Sequence, residues 1–407
     1  MSSKPRRPPR KPWVVIAGGG TAGHVLPALA VAEALHARGL PVDDLLFVGS
    51  KRGIEKRLVA EGGFPIVLLP GRGIRRAMTF ENVTNVIGIG AAFVRAFALL
   101  VRRRPAIVFS VGGYASVPCA FSAVLLRIPL VLAESNARAG LAVKSVARFA
   151  KATATAFEGT GLPGAVLLGN PVRASVLALA GLVPVADPQS ARTGEERGGE
   201  QSVAVRLASR RDLGVDDDMQ MVSVFGGSLG ARTLNQVVFE LCEKWNDHRM
   251  VIHHVIGDRD YGDAQNWLKE FRSRHPVTAL DYRQIRYEDR MDLVYGASDV
   301  VVCRAGATSI ADLSVAGVPA VLIPLPSAAE DHQSANANSV AATGACICLP
   351  QSELTVERLS SELDSLLSDP DKRSAMAAAQ RRRARPNAAN DIADLLRKYA
   401  TRSEPRA

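Results

Sequence analysis

Short apolar runs recur along the chain, each closed by glycine or polar turn residues and followed by a stretch with helical spacing. In the first half the runs Val14–Ala17, Leu45–Val48, Ile66–Leu69, Ile107–Val111, Leu130–Ala133 and Val166–Leu168 read as strands. Pro27–Arg38, Ile54–Glu61 and Thr84–Arg103 read as helices between them. Such alternation predicts a parallel sheet with helices on both faces, whose strands are apolar throughout because neither face meets water. The pattern restarts at Met221–Phe225, with a glycine loop at Gly226–Gly230, a helix over Ala231–Trp245 and strands at Met250–Ile256, Val300–Cys303 and Ala320–Ile323. The expected architecture is therefore α/β, with two similar doubly wound, Rossmann-like domains facing each other. Ligands in such sheets sit beyond the carboxyl ends of the strands, so a cleft between the domains is expected to hold them.

Length agrees with this division: 407 residues at about 150 per domain give two domains or three. A hydrophobic fraction of 47% with 22% charged residues is that of a globular protein with a substantial core. Lys and Arg number 50 against 40 Asp and Glu, a net charge of +10. That excess favours an anionic partner such as a membrane, a nucleic acid or a phosphorylated substrate. Much of it lies in a Pro-rich head (Arg6, Arg7, Arg10, Lys11) and near the tail (Arg381, Arg382, Arg383, Arg385). The polar stretch Asp187–Gln201 reads as a disordered insertion between the domains.

Cys119, Cys242, Cys303, Cys346 and Cys348 form no CxxC pair and lie mostly in apolar runs, as core thiols of a reducing compartment do. Trp13–Ala17 is too short for the apolar core of a signal peptide. No run reaches the ~18–20 apolar residues that span a bilayer. Val86–Val101 comes nearest and carries Arg95, so any membrane contact is expected to be peripheral.

The richest chemistry lies in Val14–His24, where a strand runs into Gly18-Gly19-Gly20-Thr21-Ala22-Gly23 and a histidine opens the next helix. Helix N-termini attract phosphates and developing negative charge, and a histidine there is placed for proton transfer. Gly18, Gly20 and Gly23 also satisfy G-x-G-x-x-G, the dinucleotide fingerprint. The acid that fingerprint needs belongs at the end of the second strand, whereas Asp43 and Asp44 precede that strand. The loop Gly226–Gly230 has no following Lys and is no Walker A motif; it is a phosphate cradle with Ser228 or a tight turn. Asp312, in the helix after Arg304-Ala305-Gly306-Ala307-Thr308-Ser309, is a ribose ligand or an ordinary charge at a helix start. Glu330–Asn336 is a binding loop or a solvated cap, and Arg173 is a diphosphate contact or a surface arginine. Ile74-Arg75-Arg76-Ala77-Met78-Thr79-Phe80 is a membrane-surface patch or a packed face. No metal-ligand pattern stands out, and no bound metal or cofactor is expected.

Taken in order, GGGTAGH (18–24), GGY (112–114), ESNARAG (134–140), GNPVR (169–173), GGSLGA (226–231), RAGATS (304–309) and HQ with Asn336 resemble the MurG family of bacterial cell-wall synthesis. Its members are UDP-N-acetylglucosamine:undecaprenyl-pyrophosphoryl-muramoyl-pentapeptide N-acetylglucosaminyltransferases with the GT-B fold. The resemblance runs from about Trp13 to Leu396, the Asp187–Gln201 insertion excepted. It implies a metal-independent, inverting transfer of N-acetylglucosamine to the C4 hydroxyl of the N-acetylmuramoyl group of lipid I, giving lipid II.

By the same resemblance His24 is the catalytic residue. Thr21, Ala22, Gly23, Asn136, Arg173, Ser228, Ala307, Thr308, Ser309, Asp312 and Gln333 contact UDP-N-acetylglucosamine or the acceptor. Gly112, Gly113 and Tyr114 lie on the acceptor side, and Ile74, Arg75, Arg76, Met78 and Phe80 meet an anionic membrane surface. The implied place is the cytoplasmic face of the bacterial plasma membrane, as a peripheral protein. Lipid I, cell-wall synthesis proteins and division proteins are the expected partners, with no nucleic acid. The expected division is a basic head (1–12), an acceptor domain (13–180), a connection (181–215), a donor domain (216–375) and a C-terminal helix and tail (376–407) returning to the first domain. Four positions depart from the family pattern: Ala133 for a histidine, Asp312 for a glutamate, Leu229 for a glutamine, and Tyr287-Glu288 where a more apolar pair lies beside the uracil.

Overall fold

The computed structural model describes residues 11–51, 53–70, 81–182, 198–227 and 230–402. The chain forms two compact units, 1–173 with 387–407, and 174–386. In the first, β1 (Val14–Ala17), α1 (Ala22–Ala37), β2 (Leu45–Ser50), α2 (Glu55–Glu61), β3 (Ile66–Leu69), α3 (Glu81–Arg103), β4 (Ile107–Ser110), α4 (Ser116–Leu125), β5 (Leu130–Glu134), α5 (Leu141–Ala147), β6 (Ala152–Thr155) and β7 (Ala165–Leu167) follow one another. The strands make one parallel sheet in the order β3-β2-β1-β4-β5-β6-β7.

Because side chains alternate across a strand, β1 serves two cores at once. Val14 and Ile16 pack with Val25, Ala28 and Leu35 of α1, while Val15 and Ala17 pack with Ala92 and Ala96 of α3 and Cys119 of α4. Strand order reverses direction between β1 and β4, which places the β1–α1 and β4–α4 loops side by side at the carboxyl edge.

The second unit contains α6 (Ala174–Leu179), α7 (Gly198–Leu213), β8 (Gln220–Phe225), α8 (Arg232–Lys244), β9 (Met250–Val255), α9 (Tyr261–Arg274), β10 (Asp281–Ile285), α10 (Met291–Ala297), β11 (Val300–Cys303), α11 (Ala307–Ala316), β12 (Ala320–Leu322), α12 (His332–Ala341), β13 (Ile347–Cys348), α13 (Val356–Leu367) and α14 (Pro370–Arg383). Its six parallel strands run β10-β9-β8-β11-β12-β13. The last helix, α15 (Ala388–Tyr399), belongs to the first unit. There Ile392 and Leu396 join the α1 core, Arg38 pairs with Asp394 at 2.6 Å, and the Trp13 indole donates to the Arg402 carbonyl (3.0 Å).

Part of the expected insertion is ordered: Gly198–Gln201 begin α7, and residues 183–197 lie outside the described ones. The polar start of α7 hides its anchor further along. Arg210 is fully buried and donates to Asp299 Oδ2 (2.9 Å) and to the Met219 carbonyl (2.7 Å). Asp299 also accepts from Arg206 (2.8 Å) and the Met221 N–H (2.8 Å), so the buried charge is paired and braced from several sides.

The thiols are core groups. Cys119, Cys242, Cys303 and Cys346 are buried, and burial pushes Cys119 and Cys346 up to about 12, far from a reactive thiolate. Among the described residues, no helix is long and apolar enough to cross a membrane.

Candidate active site

The β1–α1 loop is locked from three sides. The Gly18 N–H donates to the Val48 carbonyl (3.0 Å), Gly19 N–H to the Gly112 carbonyl (3.2 Å), and Gly20 N–H to Glu55 Oε2 (2.8 Å). These three amides are engaged inside the protein. Asp44 is buried in the turn before β2, with its carbonyl accepting the Trp13 N–H (2.8 Å), at the opposite end of the sheet.

What the loop delivers is a side-chain pair. Thr21 caps α1 in extended conformation (φ −135°, ψ 156°), and its Oγ1 lies 3.1 Å from His24 Nδ1. The His24 ring packs against the β4–α4 loop: a Cβ at Gly112 would lie 3.0 Å from both its Cδ2 and its Nε2. Gly113 (φ +83°) lies so close to the first loop that a Cβ there would be 2.0 Å from the Gly19 carbonyl oxygen. The Tyr114 hydroxyl is held by the Pro70 (3.0 Å) and Gly88 (3.2 Å) carbonyls, and burial raises its pKa. Gly112–Tyr114 therefore shape the loop on which His24 rests.

Gly23 and His24 line a small pocket together with Glu134, Ser135, Asn170 and Pro171. Glu134, only 5% exposed, organises one wall. Its Oε1 accepts from the Asn136 N–H (3.0 Å) and Nδ2 (3.1 Å), and its Oε2 from the Gly140 N–H (2.9 Å). The Ser135 hydroxyl donates to Asn170 Oδ1 (3.0 Å), tying that wall to the loop that leads to Arg173. Sequence reasoning placed Asn136 in the site but missed that Glu134 holds it. The signal was a carboxylate at a strand's carboxyl end with Asn and Gly two and six residues on. Ala133, at the first departure from the family pattern, lines the same cavity.

In the second unit, β8 leads into Gly226 and Gly227, and α8 starts at Arg232. A Cβ at Gly226 would lie 2.3 Å from the Ala231 Cβ, whereas Gly227 (φ +95°) faces open space. Gly230 (φ +77°) rests on the Ile256 carbonyl, 2.4 Å from its would-be Cβ. Ser228 and Leu229 lie outside the described residues, as do Ile74, Arg75, Arg76, Met78 and Phe80.

Behind Gly230 sits a buried relay. The Asn235 amide donates to the Ile256 carbonyl and to Asp260 Oδ2 (3.2 Å each), so its oxygen accepts from His254 Nε2 (3.0 Å). His254 Nδ1 then accepts from the Tyr282 hydroxyl (3.1 Å), which fixes the neutral tautomer. Burial pushes the His254 pKa down to about 3. The unfolded chain binds this proton near pH 6.5, so stability is complete above about that pH. It is lost as the pH falls through the window down to about 3. Thermal melting followed from pH 7 to pH 4 is expected to show a falling midpoint, and a His254→Gln variant a flatter pH dependence.

Gly306 (φ −70°, ψ 138°) precedes α11, whose first turn carries Ala307, Thr308 and Ser309, all half-buried. Among the described residues the buried Thr308 Oγ1 has no hydrogen-bond partner. Asp312, further along α11, is buried (2% exposed). Arg304 is a brace: it donates to the Ile323 and Pro324 carbonyls (3.2 Å each) and to Gln351 Oε1 (2.6 Å). Gln333 Oε1 accepts from the Leu325 N–H (3.0 Å), and Asn336 Nδ2 donates to the Ala305 carbonyl (3.2 Å). The loops after β11 and β12 are thereby pinned to the start of α12. Glu288 lies 3.3 Å from His253 Nε2 and accepts from the Arg290 N–H (2.8 Å), contacts that hold its carboxyl below the usual range; Tyr287 is exposed. Among the described residues no group of three or more His, Cys, Asp and Glu side chains is arranged to hold a metal.

Two family models match the chain: the glycosyltransferase family 28 N-terminal domain over residues 14–155 and its C-terminal domain over 221–395. A relative from Desulforudis audaxviator is 34% identical over 389 residues, covering 95% of this chain and 98% of its own. It is described as UDP-N-acetylglucosamine--N-acetylmuramyl-(pentapeptide) pyrophosphoryl-undecaprenol N-acetylglucosamine transferase. A protein of the same description from Alkalilimnicola ehrlichii is 35% identical over 385 residues, or 94% of this chain and 97% of its own. Among solved structures, MurG from Acinetobacter baumannii matches with a TM-score of 0.70 and 28% identity, over 95% of this chain and 99% of that one. The UDP-GlcNAc 2-epimerase from Neisseria meningitidis, bound to UDP-GlcNAc, shares the fold alone (TM-score 0.60, 13% identity, 95% of this chain and 100% of that one).

Proposed function

The chain belongs to glycosyltransferase family 28 and within it to the MurG family, and on that premise we propose that it transfers N-acetylglucosamine from UDP-N-acetylglucosamine to lipid I. The observation that carries the reading is that His24, paired with Thr21, lines the same small pocket as Glu134, the carboxylate that holds Asn136. The first unit takes the acceptor and the second the donor. The C4 hydroxyl of the muramoyl group attacks the anomeric carbon of the donor sugar and inverts it. His24 Nε2 takes the hydroxyl proton while the bond from the anomeric carbon to the β-phosphate oxygen breaks, leaving its electron pair on UDP. For that, Nδ1 must carry the ring proton and donate to Thr21 Oγ1.

Charge on the departing UDP is met by amides of the Gly226–Gly230 loop, Ser228 and Arg173, so no step calls for a metal. Thr308 supplies a buried hydroxyl, without a partner among the described residues, to the donor. Ala307, Ser309, Asp312 and Gln333 complete the donor side, with Thr21, Ala22, Gly23 and Asn136 towards the sugar. The test is UDP release from UDP-N-acetylglucosamine with and without a soluble lipid I analogue, in EDTA. Release that depends on the analogue is expected; UDP binding without release would make the protein a binding module or a transferase for another acceptor.

The protein works at the cytoplasmic face of the plasma membrane. Supporting this, Val94 of α3, Leu125 of α4, and Leu141 and Phe149 at α5 are 48–67% exposed. Arg95, Arg127, Lys144 and Arg148 are exposed on the same elements, and the Arg148 guanidinium lies 4.6 Å from the centre of the Phe149 ring. Exposed apolar side chains among cations suit an anionic bilayer surface. Replacing Leu125 and Leu141 together with Asp is expected to weaken cosedimentation with phosphatidylglycerol vesicles about tenfold or more, with turnover of a soluble acceptor retained.

A further inference from the structure

Glu55 is a buried carboxylate that the transfer step itself does not use. It is 2% exposed, in the first turn of α2, and reaches beneath the β1–α1 loop. Its Oε1 accepts from the Ser50 N–H (2.6 Å) and hydroxyl (2.9 Å), and its Oε2 from the Gly20 N–H (2.8 Å). Three glycines clear its socket. A Cβ would lie 2.5 Å from its Cδ at Gly19, 2.4 Å from its Cγ at Gly49, and 1.8 Å from its Oε2 at Gly53. Glu55 and His24 also line one cavity, with Gly18 and Val111 between the loops.

We propose that Glu55 is a positioning residue for glycosyl transfer: by holding the Gly20 N–H it sets the path of the chain into Thr21 and His24. The inference rests on the transferase reading above. This bond fixes the amide next to the residue that orients the histidine ring. The sequence places Glu55 thirty-odd positions from His24 and in a different helix, so only the folded loop brings them together.

The test compares Glu55→Gln with Ser50→Ala. A glutamine has one carbonyl oxygen; serving the two Ser50 donors with it turns an NH₂ group towards the Gly20 N–H, donor against donor. Ser50→Ala removes only the hydroxyl donor and leaves the Gly20 bond. In Glu55→Gln, kcat is expected to fall at least about tenfold with UDP affinity unchanged, and amide exchange over Gly18–Thr21 to accelerate. Ser50→Ala is expected to keep both near wild type. Unchanged exchange in Glu55→Gln would overturn the proposal, as would equal kcat losses in the two variants, or a loss of UDP affinity matching the loss of kcat. Absence of acceptor-dependent UDP release in the wild type would instead fail the transferase reading, while the exchange result still judges the socket.

Discussion

His24→Ala is expected to lower kcat by about 10²–10⁴, the usual range for a general base, with UDP affinity and donor KM near wild type. The ring is half-buried, held at Nδ1 by the Thr21 hydroxyl and wedged against Gly112. Thr21→Val separates orientation from proton transfer. It removes one hydrogen bond, worth about 0.5–1.5 kcal/mol, and so is expected to cost roughly three- to tenfold in kcat. Glu134 is a poor substitute base, because both its oxygens already accept N–H groups of the Asn136–Gly140 loop. Near-normal turnover in His24→Ala, measured as acceptor-dependent UDP release, would remove the histidine from proton transfer and leave only a shaping role.

The strands that were legible are continuous apolar runs. Val14–Ala17 and Val300–Cys303, buried throughout, and the half-buried edge strand Ile66–Leu69 are found at the expected bounds, because such runs closed by turn residues admit little else. The missed strands lack that signature. Ala152–Thr155 is small and half polar, and its two threonines are buried beside β5 and β7. Asp281–Ile285 and Ile347–Cys348 are edge strands, with a neighbour on one side only, and such strands tolerate polar or very short sequences.

For the site, position after predicted strands pointed to His24 and the turn at Ala307–Ser309, and the family resemblance to Asn136. The carboxylates that hold the loops were not legible. Glu55 reads as an ordinary first-turn acid of α2, and only the fold reveals that it lies under Gly20.

Gly113→Ala is expected to be the most damaging single-methyl change in the first unit. Gly113 has φ +83°, a conformation that costs an L-residue roughly 1–2 kcal/mol. Its new Cβ would also lie 2.0 Å from the Gly19 carbonyl oxygen, a backbone atom that cannot swing aside as a side chain would. Gly19 is tied in turn to Gly112 by its N–H, so relief must move both loops and with them the wall behind His24. A loss on the order of 3 kcal/mol or more and a melting midpoint lower by about 5–10 °C are expected, together with a fall in kcat. Gly20→Ala is the control, since Gly20 has a similar φ of +91° but nothing within 4 Å of the added methyl. Strain alone acts there, so its loss should be confined to about 1–2 kcal/mol. Equal melting shifts in the two variants would mean that conformational strain, rather than the collision with Gly19, sets the need for glycine at position 113. The interlocking of the β1–α1 and β4–α4 loops would then no longer account for how the histidine is held.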